Sequence, residues 1–507
     1  MDSFLLYENS STEGKKSYLS VGDMIKDLNL SIIFRTMAKD DPYIMERVRK
    51  IMMIPLKTKE EIEYRHKIIE DFMRMSKIYE DMYECSIKQY KALQLYKSEM
   101  DKNRTRATRK TSEILDTLSY LTQAHNELIH LQKRMNANAD RFQSKGLLQL
   151  CNRLNEQPLN EISEKLTDLD FFVSSGEIGY TLQFGGGLKI KQAKISYVKN
   201  RQSDSQKEKK SSKWAELYYK LAKKNIIVVR DETMKKEIGQ MQEVTVLHLL
   251  KIFQPYLQQL IQFWDHFAEE MAFYAGVVHF MKRMKEISIP LSMPQVTEEN
   301  KSTSFRYLYE LTMAIYMQKM PVGNDLSIDE TRVVLVTGAN QGGKSTFLRS
   351  YGIAQVLMQC GMPVPALDFK APLYTQIFTH FSRREDEQLN SGRLREELKR
   401  MSNMIQQTDS HSLFLLNESF ASTTEKEGAR IAEGIIQAFY EKEITIMMVT
   451  HLYQLAKKLY DEGRTGTTFL NAERMEDGKR TYRMIEGKPS HTSYGTDLFA
   501  ELEENIK

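Results

Sequence analysis

Residues 333–346 read VVLVTGANQGGKST, and the fold of the C-terminal part of the chain is read outward from them. Val333 to Val336 form an apolar, β-branched run suited to a buried strand. The run ends at Gly338, passes Gly342 and Gly343, and gives way after Lys344 to a helical pattern. Strand, glycine loop and helix with G-x-x-x-x-G-K-[ST] spacing are the pattern of a phosphate-binding loop. The chemistry needs these residue types. Gly338, Gly342 and Gly343 let the loop, with Ala339, Asn340 and Gln341, turn its N–H groups toward phosphate oxygens without a side chain in the way. Lys344 supplies a point charge to the β- and γ-phosphates and Ser345 a hydroxyl to Mg²⁺. The helix N-terminus at Ser345–Thr346 adds a favourable dipole. These residues predict a nucleotide-binding site.

With 507 residues the chain exceeds a single hydrophobic core, and roughly two to four domains are expected. Charged residues make up 28% but the net charge is only +4, so no global field declares a nucleic-acid partner and any basic surface must be local. Cys85, Cys151 and Cys360 are widely spaced and form no C-x-x-C, which argues for a reducing compartment and against a zinc site. The opening MDSFLLYENSSTEGKK lacks a basic end followed by an apolar core, so no signal peptide is expected. No apolar run approaches the ~18 residues of a membrane span. A soluble, cytoplasmic protein without membrane contact is the expectation.

Residues 30–150 carry apolar positions at helical spacing with few breakers. The pattern is interrupted at Pro55, after which Thr58 and Glu61 are placed as a capping box. Met and Tyr residues of this stretch read as core packing. At 170–199 the pattern changes to FFVSSGEIGYTLQFGGGLKIKQAKISYV, read as short strands with turns at Ser175–Gly176 and Gly185–Gly187. Lys199 to Lys213 has no apolar periodicity and reads as a basic loop. A short helix around Trp214 and a strand at Ile226–Val229 follow. Val244 to Met284 is a long helical pattern, apolar on more than one side, that Pro255 should kink or break. Pro290, Pro294 and the polar TEENKSTS then mark a boundary. The division is 1–29, a helical part 30–165, a β-rich basic insertion 166–235, returning helices 236–300 and an α/β domain 301–507.

Two further apolar runs belong with the glycine loop. Leu413 to Leu416 ends in Asn417-Glu418, where ATPases with a phosphate loop place a Mg²⁺ ligand and then a glutamate that activates water. Ile444 to Val449 ends in Thr450-His451, which would bring an imidazole near the γ-phosphate.

Six segments together resemble the MutS ATPase domain in order and spacing: TGANQGGKST, GMPVPA at 361–366, IFTHFSRREDEQLNSGR at 377–393, LFLLNESFAST at 413–423, VTHLYQL at 449–455 and GKPSHTSYG at 487–495. Residues 30–285 are similar in layout to the helical core and lever of the MutS superfamily, with 170–235 where that family carries its DNA clamp. The implied fold is an α/β P-loop ATPase domain of ABC/MutS type, C-terminal to a mainly α-helical core/lever domain with a small β-containing insertion. The resemblance implies ATP and Mg²⁺ as cofactors, with Ser345, Asn417 and Glu418 at the metal, and Glu418 and His451 as the catalytic pair. It also implies DNA as partner and a homodimer whose composite ATP sites are closed by a loop of the other subunit.

The departures matter as well. The chain begins almost directly with the core helices, so the mismatch-reading and connector domains of the family are not expected, and DNA binding is implied without mismatch reading. Asn417 stands where the family has aspartate; its carbonyl can accept from a Mg²⁺-bound water but brings no charge. In the loop that contacts the partner's γ-phosphate, Ser391 is the hydroxyl candidate and Arg393 an alternative. Pro321 aligns with the aromatic that stacks on adenine. The sequence ends soon after Ser493-Tyr494-Gly495, so the family's terminal helices are not expected. Three readings stay open: a dimeric DNA-clamping ATPase, an RNA- or ribosome-associated relative, and a nucleotide-gated scaffold with negligible turnover.

Overall fold

The structure is a computed structural model that describes residues 3–8, 14–104, 110–174, 177–184, 190–199, 232–297, 302–382, 392–475 and 479–490. The chain divides into two compact units. One comprises residues 1–3, 77–141 and 148–268, the other 4–76, 142–147 and 269–507.

The first unit is helical, with most of Ser76–Arg104, Lys110–Asn136, Leu159–Ser174 and the first part of Glu232–Glu286. Its core, rich in leucine, includes an aromatic cluster. Trp264 is fully buried, donates its indole N–H to the Ala124 carbonyl over 3.2 Å, and packs edge-on against Phe263 and Phe267. Tyr96 and Tyr120 stack with centroids 4.7 Å apart. Strands β1 (Glu177–Phe184) and β2 (Ile190–Lys199) form an antiparallel hairpin.

One expectation is corrected here, and of the two outcomes expected at Pro255 one is excluded. Residues 171–173 are helical, because the helix from Leu159, anchored by the buried Leu159, Leu166 and Leu169, runs on to Ser174. Pro255 does not end its helix, which continues from Glu232 to Glu286. Lys251, whose carbonyl loses its helical donor at this proline, is exposed, and water can take the place of the missing N–H. The predicted turns at 175–176 and 185–187, and nearly all of the basic loop, lie outside the described residues, as do the Trp214 helix and the 226–229 strand.

In the second unit, the helix Pro42–Met52 stops before Pro55, and Lys59–Arg74 starts with the expected cap. Thr58 Oγ1 accepts from the Glu61 N–H at 3.2 Å, while the Glu61 carboxylate reaches back to the Lys57 N–H at 2.8 Å. Met52, Tyr64 and Met75 are buried as core. The same helix carries Arg65, fully buried and, among the described residues, with no carboxylate bonded to its guanidinium. Arg65 donates to the carbonyls of Leu6 (3.0 Å) and Cys360 (2.7 Å), between the rings of Tyr7 and Phe273. Tyr274 and Glu270 bond the main chain of Leu5, so residues 4–8 are tied into this unit's core.

Two sheets complete the unit. Strands β3 (Gln295–Val296), β4 (Ser302–Leu308), β5 (Asn324–Asp329) and β7 (Asp368–Ala371) form one, in the order β3-β7-β4-β5. The other has the order β12-β11-β6-β10-β9-β8. Its members are β6 (Val333–Thr337), β8 (Ile377–Phe381), β9 (Leu413–Asn417), β10 (Thr445–Val449), β11 (Thr467–Arg474) and β12 (Arg480–Glu486). Only β12 pairs antiparallel. Helices cover both faces, which is why the central strands are unbroken apolar runs. Val333, Leu335, Phe414, Leu416, Ile446 and Met448 pack with residues of Arg393–Gln406, Glu425–Glu441 and Tyr453–Asp461. On the opposite face, a Cβ at Gly352 of the helix Lys344–Gln359 would come within 2.6 Å of Leu415, so the glycine permits the close approach. The register sets Thr337, Asn417 and Val449 at one edge, at the carboxyl ends of three neighbouring strands. Ligands of open α/β sheets bind there.

Candidate nucleotide site

The loop after β6 has the backbone its glycines permit. Gly338 (φ +109°) and Gly343 (φ +88°) are in conformations that other residues rarely adopt, and a Cβ at Gly338 would lie 2.9 Å from the Ala472 nitrogen of β11. At Gly342 a Cβ would meet Ala472 Cβ at 2.7 Å. Gly343 caps the helix Lys344–Gln359. Lys344 is buried and folded back on the loop, its Nζ donating to the carbonyls of Gly338 (2.8 Å) and Ala339 (2.9 Å). Burial pulls its pKa below the ordinary 10.5, and the Glu418 carboxylate opposes that shift. Among the described residues the hydrogen bonds of Lys344 Nζ go to these two carbonyl dipoles, which a cation can exchange for phosphate oxygens.

The other half of the site comes from β9. Ser345 Oγ donates to Asn417 Oδ1 over 2.8 Å. Glu418 follows with φ +53°, a left-handed conformation that costs a non-glycine residue about 1–2 kcal/mol. Its N–H donates to the Val449 carbonyl at 2.9 Å. Asn340, Gln341, Gly342, Gly343, Lys344, Ser345, Thr346 and Glu418 line one cleft of about 570 Å³. Gly338 and Ala339 contribute the carbonyls under Lys344. Asn417 is bonded to Ser345, and Thr450 follows β10 with its N–H on the Val336 carbonyl (3.1 Å). His451, next in the chain, is half-buried and is not among the residues lining the cleft. Ser391 lies outside the described residues; Glu397, further along the sequence, accepts from Ser422 Oγ at 2.7 Å.

Several lining residues carried no motif. Pro321 is there, joined by Met313, Met317, Met320 and Val322 to make an apolar wall. Tyr482 of β12 flanks Gly343, and Arg480 holds Gln341 through a 3.0 Å bond to its Oε1. The Asn324 side-chain Oδ1 accepts from the Met484 N–H at 2.7 Å, tying β12 to β5 beside the cleft. Segment 487–490 is anchored there too: Ser490 N–H and Oγ meet Asn471 Oδ1, which also accepts from Thr337 Oγ1 at 2.7 Å.

The donor set suits a hard cation. The Ser345 hydroxyl is bonded to the Asn417 amide oxygen and Glu418 lines the same cleft as Ser345, and Mg²⁺ takes oxygen ligands while keeping several waters. Among the described residues no group of three or more His, Cys, Asp or Glu side chains offers a self-sufficient metal site. A metal here would depend on a nucleotide for the rest of its ligands. No helix among the described residues is long and apolar enough to cross a membrane.

Two stretches of the chain match known protein families. Residues 334–504 match the family described as MutS domain V, and residues 57–287 match the MutS2 N-terminal domain. An endonuclease MutS2 of Thermus thermophilus is 29% identical over 194 residues, 37% of this chain and 26% of that protein. One from Lactiplantibacillus plantarum is 25% identical over 276 residues, covering 53% and 33%. A DNA mismatch repair protein MutS of Thermotoga petrophila is 24% identical over 307 residues, 55% and 38%. The matched stretch thus spans about a quarter to two fifths of the length of these relatives. Two MutS family domains follow one another along the sequence, and the loop, strands and cleft of the second are assembled as described; the chain belongs to the MutS superfamily.

Proposed function

We propose that this protein is an ATPase of the MutS superfamily that uses Mg²⁺-ATP to switch its grip on DNA. The observation that carries the reading is the meeting of Lys344, the Ser345–Asn417 hydrogen bond and the Glu418 carboxylate at one cleft. In this reading Lys344 binds the β- and γ-phosphates, and Ser345 and Asn417 hold Mg²⁺ with Glu418 nearby. Glu418 orients and deprotonates the attacking water. His451 assists at the γ-phosphate, and Ser391 closes the site of the other subunit of a homodimer. The metal's role is to neutralise charge on the phosphates. DNA is the proposed partner because the similar proteins include one named for mismatch repair and others named endonuclease. The uncharged Asn417 favours a second reading, slow turnover in which bound ATP mainly holds a conformation.

The experiment is a set of hydrolysis rates for the purified protein: alone, and with homoduplex, mismatched duplex, four-way junction, RNA and ribosomes. Stimulation by duplex or branched DNA supports the proposal. Stimulation by RNA or ribosomes alone would replace DNA as the partner, and ATP binding without turnover under every condition would select the scaffold.

A further inference from the structure

Just beyond β9, Glu418 and Phe420 both hold left-handed backbone angles, φ +53° and +65°, with Ser419 between them. Two such residues so close together persist only where the surroundings hold them. The Ser419 hydroxyl donates to the His380 carbonyl at 3.0 Å, and its oxygen lies 2.7 Å from His380 Nδ1. A hydroxyl has one proton; with that proton on the carbonyl, Nδ1–H is the donor of the second bond. Both residues are buried, and the imidazole lies nearly parallel to the Phe420 ring, 24° off with centroids 6.0 Å apart.

The strands explain why the tether falls here. Parallel pairing of β8 with β9 sets Phe381 opposite Asn417, and the ladder closes with the Ser382 N–H on the Asn417 carbonyl at 3.0 Å. On the other side Glu418 is fixed to β10 through the Val449 carbonyl. Past that point His380 takes over, gripping Ser419 by backbone and ring together. We propose that His380 is a positioning residue for Glu418. Through Ser419 it maintains the left-handed turn that presents the carboxylate to the cleft. The inference rests on the reading of Glu418 as the group that activates water. Burying an imidazole and a hydroxyl carries a desolvation cost that an apolar pair would avoid, and the return is a directional hold on one backbone turn. Nucleotide contacts come from the separate loop at 338–346, so loosening the turn should slow chemistry and spare binding.

The test compares His380→Ala, Ser419→Ala and Ser419→Thr with wild type and Glu418→Gln, in steady-state hydrolysis and in titration with a fluorescent ATP analogue. The two alanine variants should lower kcat by about tenfold to a hundredfold, the scale of a misplaced catalytic group, with nucleotide Kd kept within about twofold. Ser419→Thr, which keeps the hydroxyl, should recover most of the rate. The double alanine variant should be no slower than the slower single, because both remove one interaction. Nucleotide affinity falling in step with kcat would indicate general loosening and overturn the proposal. So would wild-type kcat in Ser419→Ala, or a Ser419→Thr as slow as the alanine variant. If His380→Ala does not fold, Ser419→Ala decides alone. Loss of activity in Glu418→Gln with full activity in the tether variants removes only the positioning role. Full activity in Glu418→Gln removes the underlying reading and this inference with it.

Discussion

The hydroxyl of Ser345 and the side-chain carbonyl of Asn417 are 2.8 Å apart and hydrogen-bonded, joining the start of the helix after the glycine loop to the end of β9. Both partners are neutral. At this junction, where a divalent cation would sit against phosphate, the nearby fixed negative charge is carried by Glu418 alone among the three proposed metal-side residues.

Asn417→Asp restores a charge without changing size. It should lower the Mg²⁺ concentration for half-maximal hydrolysis, by roughly tenfold if the new carboxylate gains about 1.4 kcal/mol of metal binding. A Mg²⁺ titration of turnover measures it. An unchanged or higher requirement would place residue 417 away from the metal.

Lys344 gives a prediction with a pH signature. Its folded-state pKa lies below the ordinary 10.5, chiefly through burial. Below that lowered value both folded and unfolded chains hold the proton, and the folded state bears the full cost of burying the charge. Between it and 10.5 the folded protein sheds the proton first, so this group's contribution to stability rises with pH across that window. Phosphates favour the charged form, so ATP binding in the same window should take up protons. Calorimetry in buffers of different ionisation enthalpy should detect the uptake in wild type and lose it in Lys344→Met, with ATP affinity at least about tenfold weaker. Equal uptake in both proteins would mean that another group responds.

Much of this site is legible in the sequence, and the reasons are local. β6, β9 and β10 announce themselves because each is buried on both faces and must be apolar throughout, and the glycine loop obeys a spacing set by phosphate geometry. The Thr58 cap is equally local. What stays hidden depends on partners distant in the chain. β4 and β5, STSFRYL and NDLSID, are short and half polar, and become strands by pairing with each other and β7. The first of them lies where the polar stretch reads as a boundary. Tyr482 reaches the cleft only because β12 folds back on β11. The left-handed angle of Glu418 has no signature in residue type; it reflects His380 and Val449 on neighbouring strands.

Asp71 tests the packing of the nucleotide-bearing unit independently of chemistry. It is buried, accepts from the N–H groups of Gln143 (2.9 Å) and Ser144 (2.7 Å), and pairs with Arg74. Asp71→Ala leaves those N–H groups without their acceptor and should cost about 3 kcal/mol. Urea unfolding reads the loss. A change below about 1 kcal/mol would mean that water replaces the carboxylate without penalty.

For DNA, the basic segment supplies the test. Replacing Lys207, Lys209, Lys210 and Lys213 with Gln should reduce the slope of log affinity against log salt by about 0.9 for each phosphate that is no longer neutralised. Sequence preference should not change, and hydrolysis without DNA should stay near wild type. Identical slopes for variant and wild type would remove this segment from the DNA footprint.

The central claim is that Glu418 activates water for an ATP held by Lys344 and the glycine loop. Single-turnover hydrolysis by Glu418→Gln, with ATP binding measured on the same preparation, tests it most directly. The predicted result is near-normal binding with hydrolysis slowed on the order of a hundredfold or more, as for loss of a general base. Hydrolysis at the wild-type rate would contradict the account.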